Sequence, residues 1–276
     1  MSRTELETDE TPVTNVVVVG HGMVGHKLLE SLVDDARCAL HITVLCEEPR
    51  PAYDRVHLSE FFSGKSAEDL SLVKPGFFER ENVLLKLNAK AVAVDRAART
   101  VTISTGEALS YDKLVLATGS TPFVPSIKGN DRQDCFVYRT IEDLEAMQAC
   151  GARARTGVVV GGGLLGLECA KALHDMGLAA HVVEFAPRLM AVQVDDGGGR
   201  VLRSKIEELG VQVLTGKQTL EIVDGEAGTH RMQFADGTHL DTDMIVFSAG
   251  IRPRDEIARA CGLELGPRGG IAIDGT

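Results

Sequence analysis

The chain has 276 residues, 44% hydrophobic and 25% charged, close to globular averages, which argues for about two domains and against a disordered or membranous protein. Its formal net charge of −11, without a block of lysine or arginine, argues against a nucleic-acid partner. No apolar run reaches the ~18 residues of a membrane span, and the first residues lack the apolar core of a signal peptide, so a cytoplasmic location is expected, with no membrane partner; oligomeric state is not legible.

In chain order, residues 1–13 read as a polar, acidic, disordered tail. "NVVVVGHGMVGHKLLESL" (Asn15–Leu32) then gives a β-branched run, a glycine cluster and helical spacing in Met23, Leu28, Leu29 and Leu32. "HITVLCE" follows as a strand ending in an acid, and in "CEEPRPAYDRVHLSEFF" the prolines hold the chain extended before "LSEFF" starts a short helix. "KAVAVD", "RTVTIS" and "LSYDKLVLATGS" read as three short strands, the last closing on Gly119. "GVVVGGGLLGLECAKALHDMG" (Gly157–Gly177) repeats the opening pattern with Gly177 as a helix stop, and "AHVVEF" repeats the acid-ended strand. A helix is expected from about Val201 to Leu209, stopped by Gly210. Four strands follow, "VQVLTG", "TLEIVDG", "HRMQFADGTHL" with a hairpin turn at Asp236–Gly237, and "DMIVFSAG". This double strand–helix–strand pattern predicts an α/β protein of two Rossmann-like doubly wound domains, each with a small antiparallel β excursion.

A lone G-x-G-x-x-G is weak evidence, but here two of them follow a strand and open a helix. In the first, Gly20 permits the tight turn, Gly22 lets backbone approach a pyrophosphate and Gly25 lets helix and strand pack closely; Gly161, Gly163 and Gly166 play these parts in the second. Met23 and Val24, and Leu164 and Leu165, open the two helices over the ligand. Glu47 lies 22 residues after Gly25 and Glu184 lies 18 after Gly166, near the ~20-residue offset of a ribose-binding acid. A carboxylate accepts ribose hydroxyls and repels a 2′-phosphate, so Glu184 predicts NADH over NADPH, with Arg188 as a complication. Two such folds suggest two dinucleotides, one held permanently and one exchanging. Glu168, just inside the second helix, is assigned a positioning role at the nicotinamide end; support of the helix N-terminal end is the alternative. The cysteines at 38, 46, 135, 150, 169 and 261 contain no C-x-x-C pair, so they read as small buried hydrophobes in a reducing compartment. The histidines show no metal-ligand spacing, no metal site is expected, and His21 and His26 read as loop and helix-surface residues.

Together, "VVVGHGMVG", "LVLATGS", "VVVGGGLLGLE" and "IVFSAGIRPR" resemble the pyridine-nucleotide:disulfide-oxidoreductase superfamily, in which an FAD domain carries an inserted NAD domain. "EEPRPAYDRVHLSEFFSG", "DCFVYRTIEDL" and "EFAPRLMAVQVDDGGG" narrow the resemblance to the FAD/NAD-binding N-terminal portion of the assimilatory NAD(P)H-dependent nitrite reductase large-subunit family. It implies an FAD domain over 14–139, an NAD domain over 140–250 and a return towards the FAD domain over 251–276. It further implies Glu47 on the FAD ribose, Arg55, Leu58 and Ser59 towards the flavin, and Val92 facing the adenine. Ala117, Thr118 and Gly119 would line that cofactor, Ala249 and Gly250 would lie below NADH, and Arg139 would sit near the domain junction, with a catalytic part alongside Glu168. Electrons would pass from NADH through FAD to iron–sulfur and sirohaem centres, in a downstream region or a small subunit. The family's T-x-x-P-x-I-x-A-x-G-D/E segment and its cluster regions do not appear, so an incomplete chain is expected. Glu60 departs from the lysine of related ferredoxin and rubredoxin reductases; it is either an acid near the flavin or a solvated helix-start acid. The alternatives are a NADH:ferredoxin or rubredoxin reductase-type flavoprotein, or a truncated nucleotide-binding fragment without catalysis.

Overall fold

The structure, a computed structural model, describes residues 13–34 and 39–274; the acidic tail, save Val13, and Cys38 lie outside them. The described residues fall into two compact units, one drawn from Met1–Asp54, Ser71–Gly119 and Pro253–Thr276, the other from Arg55–Leu70 and Ser120–Arg252.

In the first unit, β1 (Thr14–Val19), α1 (Met23–Val33) and β2 (Leu40–Leu45) precede β3 (Val83–Lys86), β4 (Ala91–Asp95), β5 (Thr100–Ile103), β6 (Ala108–Ser110) and β7 (Lys113–Leu116). Four strands form a parallel sheet in the order β3-β2-β1-β7. β1 is central and covered on both faces, which is why its valines run unbroken instead of alternating with polar residues. Val16, Val18, Ile42 and Val44 pack with Leu29 of α1 and with Phe77. Val17, Val19 and Leu45 pack with Val101 and Ile103 of the antiparallel β4-β5-β6 layer. Each such buried side chain is worth roughly 1.5–3 kcal/mol. The single strand expected across "LSYDKLVLATGS" is two strands, because Asp112 turns back to accept the Asn15 N–H at 2.7 Å and so separates β6 from β7.

The second unit contains β8 (Ser120–Pro122), β9 (Cys135–Val137), α2 (Ile141–Gly151), β10 (Thr156–Val160), α3 (Leu164–Asp175), β11 (Ala179–Glu184), α4 (Asp196–Glu208), β12 (Gln212–Thr215), β13 (Thr219–Asp224), β14 (His230–Phe234), β15 (His239–Thr242), β16 (Met244–Phe247) and β17 (Ile251–Pro253). Its parallel sheet runs β12-β11-β10-β16-β9, so four of its strands repeat the order of the first unit. The β13-β14-β15 meander covers one face through Ile222, Met232 and Phe234, packed on Val158, Val160, Val183, Ile245 and Phe247. The expected hairpin turn at Asp236–Gly237 joins β14 to β15. β8 and β17 pair as a two-stranded ribbon. The α/β architecture with parallel sheets and antiparallel excursions is therefore the expected one.

Two helices differ from expectation. α4 begins at Asp196, five residues before Val201, although it opens with three glycines that each cost about 1 kcal/mol relative to alanine. The Asp195 side chain accepts the Gly198 N–H at 2.8 Å, which caps the helix. Gly199 also admits the Arg188 side chain, which a Cβ would meet at 3.1 Å. α2 went unread. Its cap is reciprocal: Thr140 Oγ1 accepts the Asp143 N–H at 3.2 Å while the Asp143 carboxylate accepts the Thr140 N–H at 2.8 Å.

Candidate dinucleotide-binding sites

In both units the central strand ends in a glycine turn that feeds a helix. Gly20 and Gly161 have φ of +105° and +124°, a region that excludes most side chains. A Cβ at Gly20 would collide with the Ala117 carbonyl, and one at Gly161 with the Ser248 carbonyl. Gly25 and Gly166 likewise leave room only for the carbonyls of Gly20 and Gly161. Over Gly22 and Gly163 there is open space, with nothing within 4 Å of an added Cβ. The backbone frames match: Gly20 N–H donates to Leu45 O and Gly161 N–H to Val183 O, both at 2.9 Å.

The helix ends are the telling feature. α2 and α4 are capped by the Thr140 and Asp195 side chains and carry acids in their first turn. α1 and α3 start from Gly22 and Gly163 with neither a side-chain cap nor a first-turn acid. Their leading N–H groups are thus left for an external acceptor, with the positive end of the helix dipole behind them. Met23 is half-buried, and Val24 and Leu164 are 77% and 61% exposed at these starts; Leu165 is half-buried.

The two acids differ in their surroundings. Glu47, past the end of β2, pairs with Arg254 and, at 3.2 Å, with Lys90. Burial raises its carboxyl, but the hydrogen bonds and charges of Arg254 and Lys90 outweigh it and hold the group below its ordinary value. Glu184, at the end of β11, accepts the N–H groups of Gly162 at 2.5 Å and Ala186 at 2.6 Å. Arg188 is spent on its own loop, donating to Val194 O and Ala191 O at 3.1 Å and to Asp196 at 2.9 Å.

The first unit also holds Ala117, Thr118 and Gly119 beyond β7 and Val92, half exposed, on β4. The second unit holds Ala249 and Gly250 beyond β16, together with Arg55, Leu58 and Ser59. The latter lie on the segment 55–70, whose "LSEFFS" forms a short 3-10 helix. Arg55 donates to Arg139 O at 2.9 Å, and Arg139 donates to Ser120 Oγ at 2.9 Å. Glu168, half-buried one turn into α3, neighbours Tyr138, whose phenol is pushed up first by burial and then by Cys169 and Glu168, with Ser59 opposing. Phe62 stacks on that ring at 6.5 Å. Glu60 pairs with Lys65, both partly exposed. Neither Tyr138 nor Arg254 is among the expected site residues; an aromatic residue just ahead of a T-x-x-D cap is the available signal for Tyr138.

His21 and His26 are corrected: both are buried, at 5% and 3% exposure. Ala52 N–H donates to His21 Nδ1 at 3.1 Å, His21 Nε2 meets His26 Nδ1 at 3.3 Å, and His26 Nε2 meets Leu72 O at 3.0 Å. The first donor fixes every tautomer that follows, so both rings are neutral with the proton on Nε2. Phe77 and Phe78 close over them edge-on. Burial wins over loop position because the relay satisfies all four ring nitrogens.

Two glycine turns, each with an uncapped helix and an acid at the next strand end, define a protein built on two dinucleotide-binding folds. The chain belongs to the pyridine nucleotide-disulphide oxidoreductase family, whose model it matches over residues 14–276. It is 54% identical over 261 residues to the NADH nitrite reductase large subunit of Escherichia coli, covering 94% of this chain and 31% of that protein. It is 56% identical over 260 residues to the NAD(P)H nitrite reductase large subunit of Klebsiella oxytoca, covering 94% and 27%. The chain thus spans less than a third of these relatives. Among solved structures it resembles a NAD-dependent persulfide reductase from A. fulgidus, with a TM-score of 0.87, 27% identity, and 94% of this chain and 50% of that one covered. The family implies FAD and NAD(P)H, and the uncapped, acid-free helix starts and open glycine cradles fit such groups. Among the described residues no helix is long and apolar enough to cross a membrane, and no cluster of three His, Cys, Asp or Glu could hold a metal.

Proposed function

We propose that the chain is an NADH:FAD electron-entry module, with FAD on the first glycine turn and NADH on the second, feeding electrons towards nitrite reduction in a longer protein. The observation that carries this is the pair of uncapped helices, α1 and α3, in a chain whose other long helices are capped by their own side chains. When bound, FAD supplies a ring able to take one hydride and release its two electrons singly. The protein's part is placement. The N–H groups of each glycine turn hold a pyrophosphate, Glu47 and Glu184 accept ribose hydroxyls, and Glu168 orients the nicotinamide end. Arg139, tied to Ser120 and Arg55, fixes the segment that carries Ser59. Iron–sulfur and sirohaem centres beyond this chain, or a small subunit, would receive the electrons.

The NADH preference rests on Glu184 at the ribose and on Arg188, whose guanidinium is committed to two carbonyls and Asp196. One observation favours NADPH instead: a cavity of about 210 Å³ whose lining includes Arg188, Arg200 and Arg203, with Asp196 as the opposing acid. Comparing kcat/KM for the two nucleotides decides, and a clear NADPH preference would reverse the assignment. For the module itself, the purified chain should show the visible bands of oxidised flavin and bleach on adding NADH. A colourless protein that FAD cannot reconstitute would remove the electron-entry function and leave a nucleotide-binding fragment.

A further inference from the structure

Arg254, the second arginine of "IRPR", lies just past β17. Its backbone is fixed at the end of β7: the N–H donates to Gly119 O at 3.0 Å, and the carbonyl accepts from Thr118 Oγ1 at 2.6 Å. Its guanidinium is paired with Glu47, past the end of β2. In the sheet, β1 lies between β2 and β7. Arg254 therefore reaches from one neighbour of β1 to the other, across the strand end that carries Gly20 and Gly22. All these residues belong to the first unit. In a parallel sheet, that carboxyl edge is where a dinucleotide lies.

We propose that Arg254 is a positioning residue of the FAD site, a strap across the crevice that aims the Glu47 carboxylate at the adenosine ribose. The proposal rests on the reading that the first glycine turn holds FAD. A glutamate at a strand end has three rotatable bonds and, unheld, spreads over many rotamers. Arg254 meets one carboxylate oxygen and Lys90 the other, each taking one lone pair, so a lone pair on each oxygen remains to accept a ribose hydroxyl. Ordinary surface pairs gain little because two long side chains must be ordered. Here the arginine backbone is already held by two hydrogen bonds, and only the side chain remains to be fixed. Lys90, whose side chain is 54% exposed, is a flexible point charge and the weaker holder of the two.

Equilibrium binding of FAD and of FMN to the 276-residue chain, read by quenching of flavin fluorescence, separates a strap from general support. FMN carries the flavin and one phosphate but no adenosine ribose, so it cannot feel Glu47. Arg254→Gln should raise the Kd for FAD about ten-fold and that for FMN less than about two-fold. Arg254→Lys, which keeps the charge and loses the fork, should fall between, and its FAD-to-FMN ratio decides the matter if the glutamine variant does not fold. Glu47→Gln should weaken FAD by a similar factor, and the double variant should be no worse than the weaker single one. Equal losses for FAD and FMN, additive losses in the double variant, or unchanged FAD affinity in Arg254→Gln would each overturn the strap. Failure of the underlying reading looks different: Glu47→Gln leaves FAD affinity intact, or the unaltered chain binds neither flavin, and the proposal falls with it.

Discussion

Acidification from about pH 7.5 to about pH 5 should destabilise the first unit through its two buried histidines. In the neutral relay, a proton added to His21 Nδ1 would face the Ala52 N–H, donor to donor, and one on His26 Nδ1 would face the His21 Nε2–H. Burial first, and His26 second, lower the His21 ring from 6.5 to about 4. His26 is lowered too, chiefly by burial; the Leu72 carbonyl and Glu30 oppose this, while Lys27 and Lys74 add to it. Because the folded values are the lower ones, the unfolded chain takes up protons first. The stability these rings contribute is complete above about pH 6.5 and is lost as the pH falls from there towards about 4. For His21 alone the loss by about pH 5 comes to about 2 kcal/mol. Buried His181 and His230 shift the same way, so the measurement must be differential. Urea unfolding of the natural chain and of His21→Asn, followed by circular dichroism at both pH values, isolates the ring. The natural chain should lose about 2 kcal/mol more than the variant across this interval. Equal losses would refute the relay as the acid-sensitive element.

Three other substitutions probe the sites and their supports. Gly166→Ala drives a Cβ into the Gly161 carbonyl, so it should cost about 1–3 kcal/mol and raise the Kd for NADH at least about ten-fold, read by thermal unfolding and nucleotide titration. Glu184→Ala removes the carboxylate that two turn N–H groups hold in place; the ratio of kcat/KM for NADH to that for NADPH should fall about ten-fold or more, and an unchanged ratio would take the acid out of specificity. Thr140→Ala removes one half of the α2 capping box and should cost about 1 kcal/mol in urea unfolding while leaving nucleotide affinities unchanged.

Both glycine turns were legible because each depends on residues close in sequence: a β-branched run, three glycines and an acid about twenty residues on. The two doubly wound α/β units followed from that pattern appearing twice. What escaped reading depended on distant partners or on offsets between opposing preferences. Arg254 meets Glu47 across 207 residues, and no local signal marks it. The burial of His21 and His26 depends on Ala52 and Leu72, which only the folded chain brings to them. The start of α4 was hidden by three glycines, whose poor helix propensity is overcome by the Asp195 cap and by the Arg188 side chain lying against Gly199. α2 is the instructive miss, since its T-x-x-D signal was present but sat inside a stretch with weak apolar periodicity.

Glu47 and Glu184 occupy the same place in two copies of one fold, yet they are held by opposite means. Glu184 accepts hydrogen bonds from Gly162 in the glycine turn and from Ala186 just past its own strand, so it is held by backbone N–H groups without a charged side chain. Glu47 is held by two cations, one of them on the segment that returns from beyond the second unit. Swinging the Arg254 side chain aside breaks the ion pair while the Thr118 and Gly119 hydrogen bonds keep its backbone in place. These bonds reinforce one another, since the backbone pair pre-orders the arginine that makes the third. Under the proposed assignment of FAD to the first turn and NADH to the second, the ligand that stays through every turnover would face an acid braced from a distant segment, and the one that leaves each time would face an acid held by backbone N–H groups alone.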